Sequence, residues 1–103
     1  MIKSSGYRVS PTEIEEIIYA SGVAKEAAAI GIEHDALGQA IVVVISVDSP
    51  NDFQEVELIN LCKTRLPNFM VPAKIEIMPS LPKNPNGKID RKALTQQFAD
   101  LFH

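Results

Sequence analysis

Lys88 is the residue whose surroundings most suggest chemistry. It follows Asn86-Gly87, a dipeptide that tolerates positive φ and turns tightly, inside the run Leu81–Leu94, which reads LPKNPNGKIDRKAL. Pro79, Pro82, Pro85 and Gly87 deny this stretch a helix or a ladder strand until Asp90. The spacing predicts a stiffened loop with one ammonium group at its tip and an apolar helix behind it. A compact cation on a flexible stem suits charge that develops on a phosphoryl or carboxyl oxygen. A solvated loop lysine has the same local sequence, so chemistry alone leaves both readings open. A Walker A loop is excluded, because Pro82 stands where that pattern needs Gly and Ile89 where it needs Ser or Thr.

Length and composition bound what such a loop can serve. The chain has 103 residues, enough for one domain with one modest core. A net charge of −3 argues against a nucleic-acid partner, which needs clustered Lys and Arg. The longest strongly apolar run, 40–45, is far too short to span a bilayer, and no export signal opens the chain. One cysteine excludes an internal disulfide, and two histidines argue against a zinc site. A cytoplasmic setting is the default.

The elements that must position Lys88 form an α+β domain over 1–103: a small three-stranded sheet flanked by helices, with an N-terminal β-hairpin. Residues 1–9 alternate around Ser4-Ser5-Gly6 as a hairpin does. Ser10, Pro11 and Glu13 predict a capped helix that ends at Gly22, with Ile14, Ile17 and Ile18 on one face and Glu13, Glu15 and Glu16 on a solvated acidic one. Residues 23–34 and 39–47 read as strands, and Ile41–Ile45, β-branched throughout, suits a central strand covered on both faces. His34, at the turn between them, has no sequence neighbour to orient it as an acid or base. Asp52 with Glu55 suggests a second capping box before a helix that turns Leu58, Ile59, Cys62 and Leu66 inward; Cys62 thus reads as a small buried hydrophobe. Pro67 ends that helix, 74–78 alternates as a third strand, and Asp90 caps a final helix burying Leu94, Phe98, Leu101 and Phe102. His103, at the end, reads as frayed.

Two stretches resemble the signatures of the adenylate-forming superfamily, in its C-terminal domain. That group comprises acyl- and aryl-CoA synthetases, peptide-synthetase adenylation domains and luciferases. Leu81-Pro82-x-x-Pro85-x-Gly87-Lys88-x-x-Arg91-x-x-Leu94 resembles the closing signature, with Asn84 where the family usually has Thr. Ile2-Lys3-x-x-Gly6-x-Arg8-Val9-x-x-x-Glu13-Ile14-Glu15 resembles the opening one. Leu66-Pro67-Asn68-Phe69-Met70-Val71-Pro72 is similar to a family connector, with Phe69 for the usual Tyr.

The resemblance implies the smaller, mobile domain of an AMP-forming ligase that uses ATP and CoA as co-substrates. The large N-terminal domain, absent here, would hold ATP, the Mg2+ ligands and the acyl pocket. Lys88 would neutralise charge on the carboxylate and α-phosphate during adenylate formation. After domain rotation, Ser5 and Gly6 would border the pantetheine channel, and Arg8 would meet phosphate or anchor the loop. No metal ligand is expected in this chain, and the domain alone is expected to be inactive. A peptide-synthetase subdomain serving a carrier protein is the enzymatic alternative, which the chain's end soon after the last helix disfavours. A non-enzymatic partner-binding module is the other; it would need no lysine at 88.

Overall fold

The computed structural model describes residues 2–4, 6–36 and 38–102. The element order is β1 (Ile2–Ser4), β2 (Tyr7–Val9), α1 (Pro11–Ala20), β3 (Glu26–His34), β4 (Gly38–Ser46), α2 (Glu55–Arg65), β5 (Lys74–Ile77) and α3 (Arg91–Gln97), with 3-10 turns at Pro50–Asp52 and Asn68–Met70. The class is α+β, as the residue patterns predict.

β4 is the axis of the sheet. One edge pairs antiparallel with β3 over its whole length, from His34↔Gly38 to Glu26↔Ser46. The other edge is shared: β1 pairs with it at Ser4↔Gly38, and β5 runs parallel to it from Val42↔Lys74 to Ile45↔Ile77. The N-terminal hairpin therefore does not stand apart from a three-stranded sheet. It extends the sheet to five strands, because Gly38 at the head of β4 gives β1 a place to pair.

Strand alternation splits the core in two. Ala27, Ala29, Ile41, Val43 and Ile45 face Ile14 and Ile18 of α1 and Leu58 and Cys62 of α2. Ala28, Ile30, Ile32, Val42 and Val44 face Leu81 and Leu94, with Phe98, Leu101 and Phe102 packed around them. Ile41 through Ile45 are all buried, so the β-branched run is the doubly covered strand that its composition suggests. Burial also pushes the Cys62 thiol up from its usual range, which suits a core residue and not a nucleophile.

Both anticipated capping boxes fail to form. Ser10 occupies the N-cap of α1 but its side chain makes no capping bond; Pro11, with its preset φ, starts the helix. Asp52 lies in a 3-10 turn and Gln54 is the N-cap of α2, because the Glu55 carboxylate is engaged elsewhere, accepting from the Ile75 amide at 2.8 Å. Asp90 does cap α3, accepting from the Ala93 amide at 3.0 Å. That helix ends at Gln97, and the last apolar residues reach the core from turns. Strand β3 begins at Glu26, three residues later than the alternation suggests.

Candidate functional site

The lysine loop is a small hairpin closed by its own backbone bonds and braced by one side chain. Asp90 donates its amide to the Pro82 carbonyl (2.8 Å), Lys83 and Ile89 form an isolated antiparallel bridge, and Asn84 donates its amide to the Lys88 carbonyl (2.7 Å). Gly87, at φ 81°, closes the tip by donating to the Asn84 carbonyl at 2.9 Å. The Asn84 carboxamide oxygen then accepts from two amides at once, Asn86 at 3.0 Å and Lys88 at 3.1 Å. These bonds fix the backbone of Lys88 while leaving its side chain in solvent. Among the described residues no carboxylate pairs with its ammonium.

Two carboxylates from other elements hold the ends of this loop. Glu26 of β3 accepts from the Leu81 amide (3.2 Å), from the Ser46 hydroxyl (3.0 Å) and from the Lys83 ammonium. Its hydrogen bond to Lys83, first among the causes, holds its carboxyl below the usual range against the opposing effect of burial. Lys83, the other lysine of the hairpin, is thereby occupied. At the far end Glu15 of α1 binds Arg91, the first residue of α3, through Nη2 at 2.6 and 2.8 Å and Nε at 3.1 Å. The same carboxylate accepts from the Ala29 amide at 2.8 Å.

Glu15 corrects the expectation of a solvated acidic face. Glu13 and Glu16 are exposed, but Glu15 is only 7% exposed. Only a weak signal was available: position 15 lies three residues before Ile18, at the border of the apolar arc. A carboxylate there needs a cation, but nothing in the sequence says that the cation is Arg91, 76 positions on. Asn84 and Glu26 are further site-building residues that sequence reasoning missed; neither has a local pattern that reveals its partners.

The hairpin turn between β1 and β2 carries the second group. Gly6 is exposed at φ 84°, with open space where a Cβ would stand. Ser5, the other expected channel residue, lies outside the described residues, as does His103. Arg8 is exposed on β2 directly opposite Lys3 of β1. Tyr7 stacks on Phe69 of the Asn68–Met70 turn, ring centroids 4.2 Å apart and planes at 18°. No hydrogen bond or ion pair among the described residues joins this turn to the lysine loop. They are separate loops of one domain.

Other candidates recede. His34 packs edge-on against Phe102 at 5.1 Å and its Nδ1 accepts from the Ala36 amide at 3.1 Å. A cavity of about 380 Å³ between α1 and α2 is lined by Ile17, Phe53, Leu58 and Leu61 and by no residue of the lysine loop. Among the described residues no three His, Cys, Asp or Glu side chains could hold a metal, and no helix is long and apolar enough to cross a membrane.

A mixed sheet with this lysine hairpin on one side and a glycine turn on its edge defines the class: the chain belongs to the AMP-binding enzyme C-terminal domain family, whose model matches residues 13–88. Curated relatives that it matches include acid–CoA ligases. It is 32% identical over 99 residues to a long-chain-fatty-acid–CoA ligase of Mycobacterium tuberculosis, covering 96% of this chain and 20% of that protein. It is 37% identical over 99 residues to the 2-succinylbenzoate–CoA ligase of Listeria monocytogenes, covering 96% of this chain and 21% of that one. The crystal structure of apo MatB from Rhodopseudomonas palustris superposes with a TM-score of 0.94 at 27% identity, over 99% of this chain and 20% of that chain. The chain thus spans about a fifth of the length of the curated relatives it matches.

Proposed function

We propose that this chain is the mobile, lysine-bearing domain of an ATP-dependent, AMP-forming acyl-CoA ligase whose large N-terminal domain holds ATP and the acyl group. The observation that carries the reading is the exposed Lys88 ammonium, with which no carboxylate among the described residues pairs, on a hairpin closed by the amides of Asn84, Asn86, Gly87, Lys88 and Asp90. Support also comes from the named relatives, which are CoA ligases, and from a MatB crystal structure with ATP bound (TM-score 0.95, 26% identity, 100% of this chain, 20% of that one).

In the first half-reaction a carboxylate oxygen attacks the α-phosphorus of ATP. An acyl-adenylate forms and pyrophosphate leaves. Two anions must approach, and a preorganised cation between them lowers the barrier. Lys88 supplies that cation, and its braced backbone means little reorganisation at the moment of reaction. In the second half-reaction the CoA thiol attacks the acyl carbon, loses its proton and expels AMP. Rotation of the domain brings the Gly6 turn to the reaction centre for this step. Gly6 has the open space that a pantetheine arm needs. Arg8 and Lys3, like charges opposed across two strands, repel each other unless an anion lies against them, and a CoA phosphate is such an anion. Magnesium would accompany ATP in the large domain. A cytoplasmic setting, where ATP and CoA are both available, goes with this reading.

The test is Lys88→Ala in the full-length enzyme, with the two half-reactions assayed apart. Acid-dependent ATP–pyrophosphate exchange should fall by about 100- to 1,000-fold, the usual loss for one preorganised donor. Thiol transfer from supplied acyl-adenylate should survive. An unchanged first half-reaction would favour a partner-binding module without chemistry. Transfer to a carrier protein in preference to free CoA would point to the peptide-synthetase alternative.

A further inference from the structure

Resting on the assignment of Lys88 to adenylate formation, we infer that Glu15 and Arg91 act together as positioning residues, clamping the exit of the lysine hairpin so that the ammonium is presented at a fixed place. The two side chains lie 76 residues apart in sequence, one in each signature stretch. Their contact joins α1 to the first residue of α3, three residues beyond Lys88.

The chemistry of the pair is directional. The guanidinium is a rigid fork, and it meets the carboxylate through both Nε and Nη2. Glu15 cannot swing toward solvent without breaking its bond to Ala29 in the middle of β3. The carboxylate is therefore fixed to the sheet and the arginine to the carboxylate. Between Arg91 and Lys88 the chain has little freedom. The Asp90 amide is bound to Pro82 and its carboxylate caps α3, while Lys88 is bound through both its amide and its carbonyl to Asn84.

Packing alone does not require this arrangement. Burying a carboxylate carries a desolvation cost about as large as its partner returns, and an apolar pair of the same volume often packs equally well. What the ion pair adds is a defined angle and register. The end of the hairpin at Lys83 lacks such a fixture, because Lys83 is a flexible stem reaching a less deeply placed carboxylate.

The experiment uses Arg91→Gln, Glu15→Gln and the double variant in the full-length enzyme, beside Lys88→Ala. Each single change should lower kcat for ATP–pyrophosphate exchange by about 10- to 100-fold, as small misplacements of a reacting group do. KM for ATP and thiol transfer from supplied acyl-adenylate should stay within about threefold of wild type, and the double variant should be no worse than either single one. Exchange within about threefold of wild type, or equal losses in both half-reactions, would overturn the inference. The second result would mark the pair as a general structural brace. If Glu15→Gln fails to fold, Arg91→Lys keeps the charge without the fork. The amides of Asn84, Gly87 and Lys88 should then exchange with solvent about tenfold faster while β4 is unaffected; unchanged exchange at those amides overturns the clamp. Should Lys88→Ala itself leave exchange intact, the assignment of Lys88 fails and the inference with it. Full loss in Lys88→Ala with normal Arg91→Gln activity removes the clamp alone.

Discussion

The turn at Gly6 and the hairpin at Lys88 use the same backbone device, a glycine at φ 84° in one and 81° in the other, yet they are joined to the domain differently. The lysine hairpin is closed by its own backbone bonds, organised by the Asn84 side chain and gripped at each end by a carboxylate from another element. The Gly6 turn has its base in the core through Ile2 and Val9, and one ring stack, Tyr7 on Phe69, beside its tip. The proposed roles would explain the difference: a group meeting developing charge gains from being fixed before the reaction, whereas a turn admitting a long flexible thiol carrier gains from an open tip.

Replacing each glycine by alanine would break or sharpen that contrast. At neither position would the added Cβ meet another atom within 4 Å, so the change acts through backbone strain alone. An L-residue in the left-handed region costs roughly 1–2 kcal/mol at either site. In the lysine hairpin that strain falls between Asn84 and Lys88, and Gly87→Ala should lower ATP–pyrophosphate exchange by about tenfold, equivalent to 1.4 kcal/mol. In the open turn Gly6→Ala should leave exchange unchanged and slow thiol transfer instead. Equal effects of both variants on both half-reactions would erase the functional distinction between the loops.

How much of this was legible in the sequence follows from the range of the interactions. Elements governed by local pattern were readable: the β-branched run of β4, the apolar arc of α1, the Asp90 cap, and a proline-stiffened loop ending in an exposed lysine. The bracing of that loop was not. Glu26 reaches Lys83 across 57 positions and Glu15 reaches Arg91 across 76, and nothing in residue spacing encodes such pairings. The two capping boxes show the reverse error, a correct local motif whose side chains found other roles or none. Glu55 is the plain case, because a β5 amide competes for the carboxylate that would have closed the box.

The attachment of the N-terminal hairpin offers a smaller, sharper test. A Cβ on Gly31 of β3 would come 2.9 Å from Oε1 of Gln39 and 3.0 Å from Cγ2 of Ile2. Gln39 can give way, but that same oxygen accepts the Lys3 amide at 2.8 Å. Gly31→Ala should therefore release β1 and cost about 1 kcal/mol, one net hydrogen bond, by thermal unfolding. Amides of β1 should lose protection while those of the lysine hairpin keep theirs. Loss of protection at Lys88 would mean that the two loops are coupled through the sheet.

The smallest effect belongs to the Glu26–Lys83 contact, and it tests whether the two ends of the lysine hairpin differ. The two cations are about equally exposed, Lys83 at 42% and Arg91 at 46%, but the Glu26 side chain is 22% exposed against 9% for Glu15, so solvent screens the pair more and Glu26→Gln should cost only about 0.5 kcal/mol at neutral pH. Lys83 holds the Glu26 carboxyl below its ordinary value in the folded state. The stability this contributes is complete above the unfolded-state value of about 4.3 and is lost as pH falls through the lower folded-state value. Wild-type stability should thus fall more steeply than that of Glu26→Gln below about pH 4, measured by urea unfolding at stepped pH. At neutral pH the variant should keep ATP–pyrophosphate exchange within about threefold of wild type, since the Arg91 fork on the buried Glu15 carboxylate still fixes the exit. A loss in Glu26→Gln as large as that in Arg91→Gln would show that both ends matter equally, and that exposure does not separate a clamp from a surface contact in this loop.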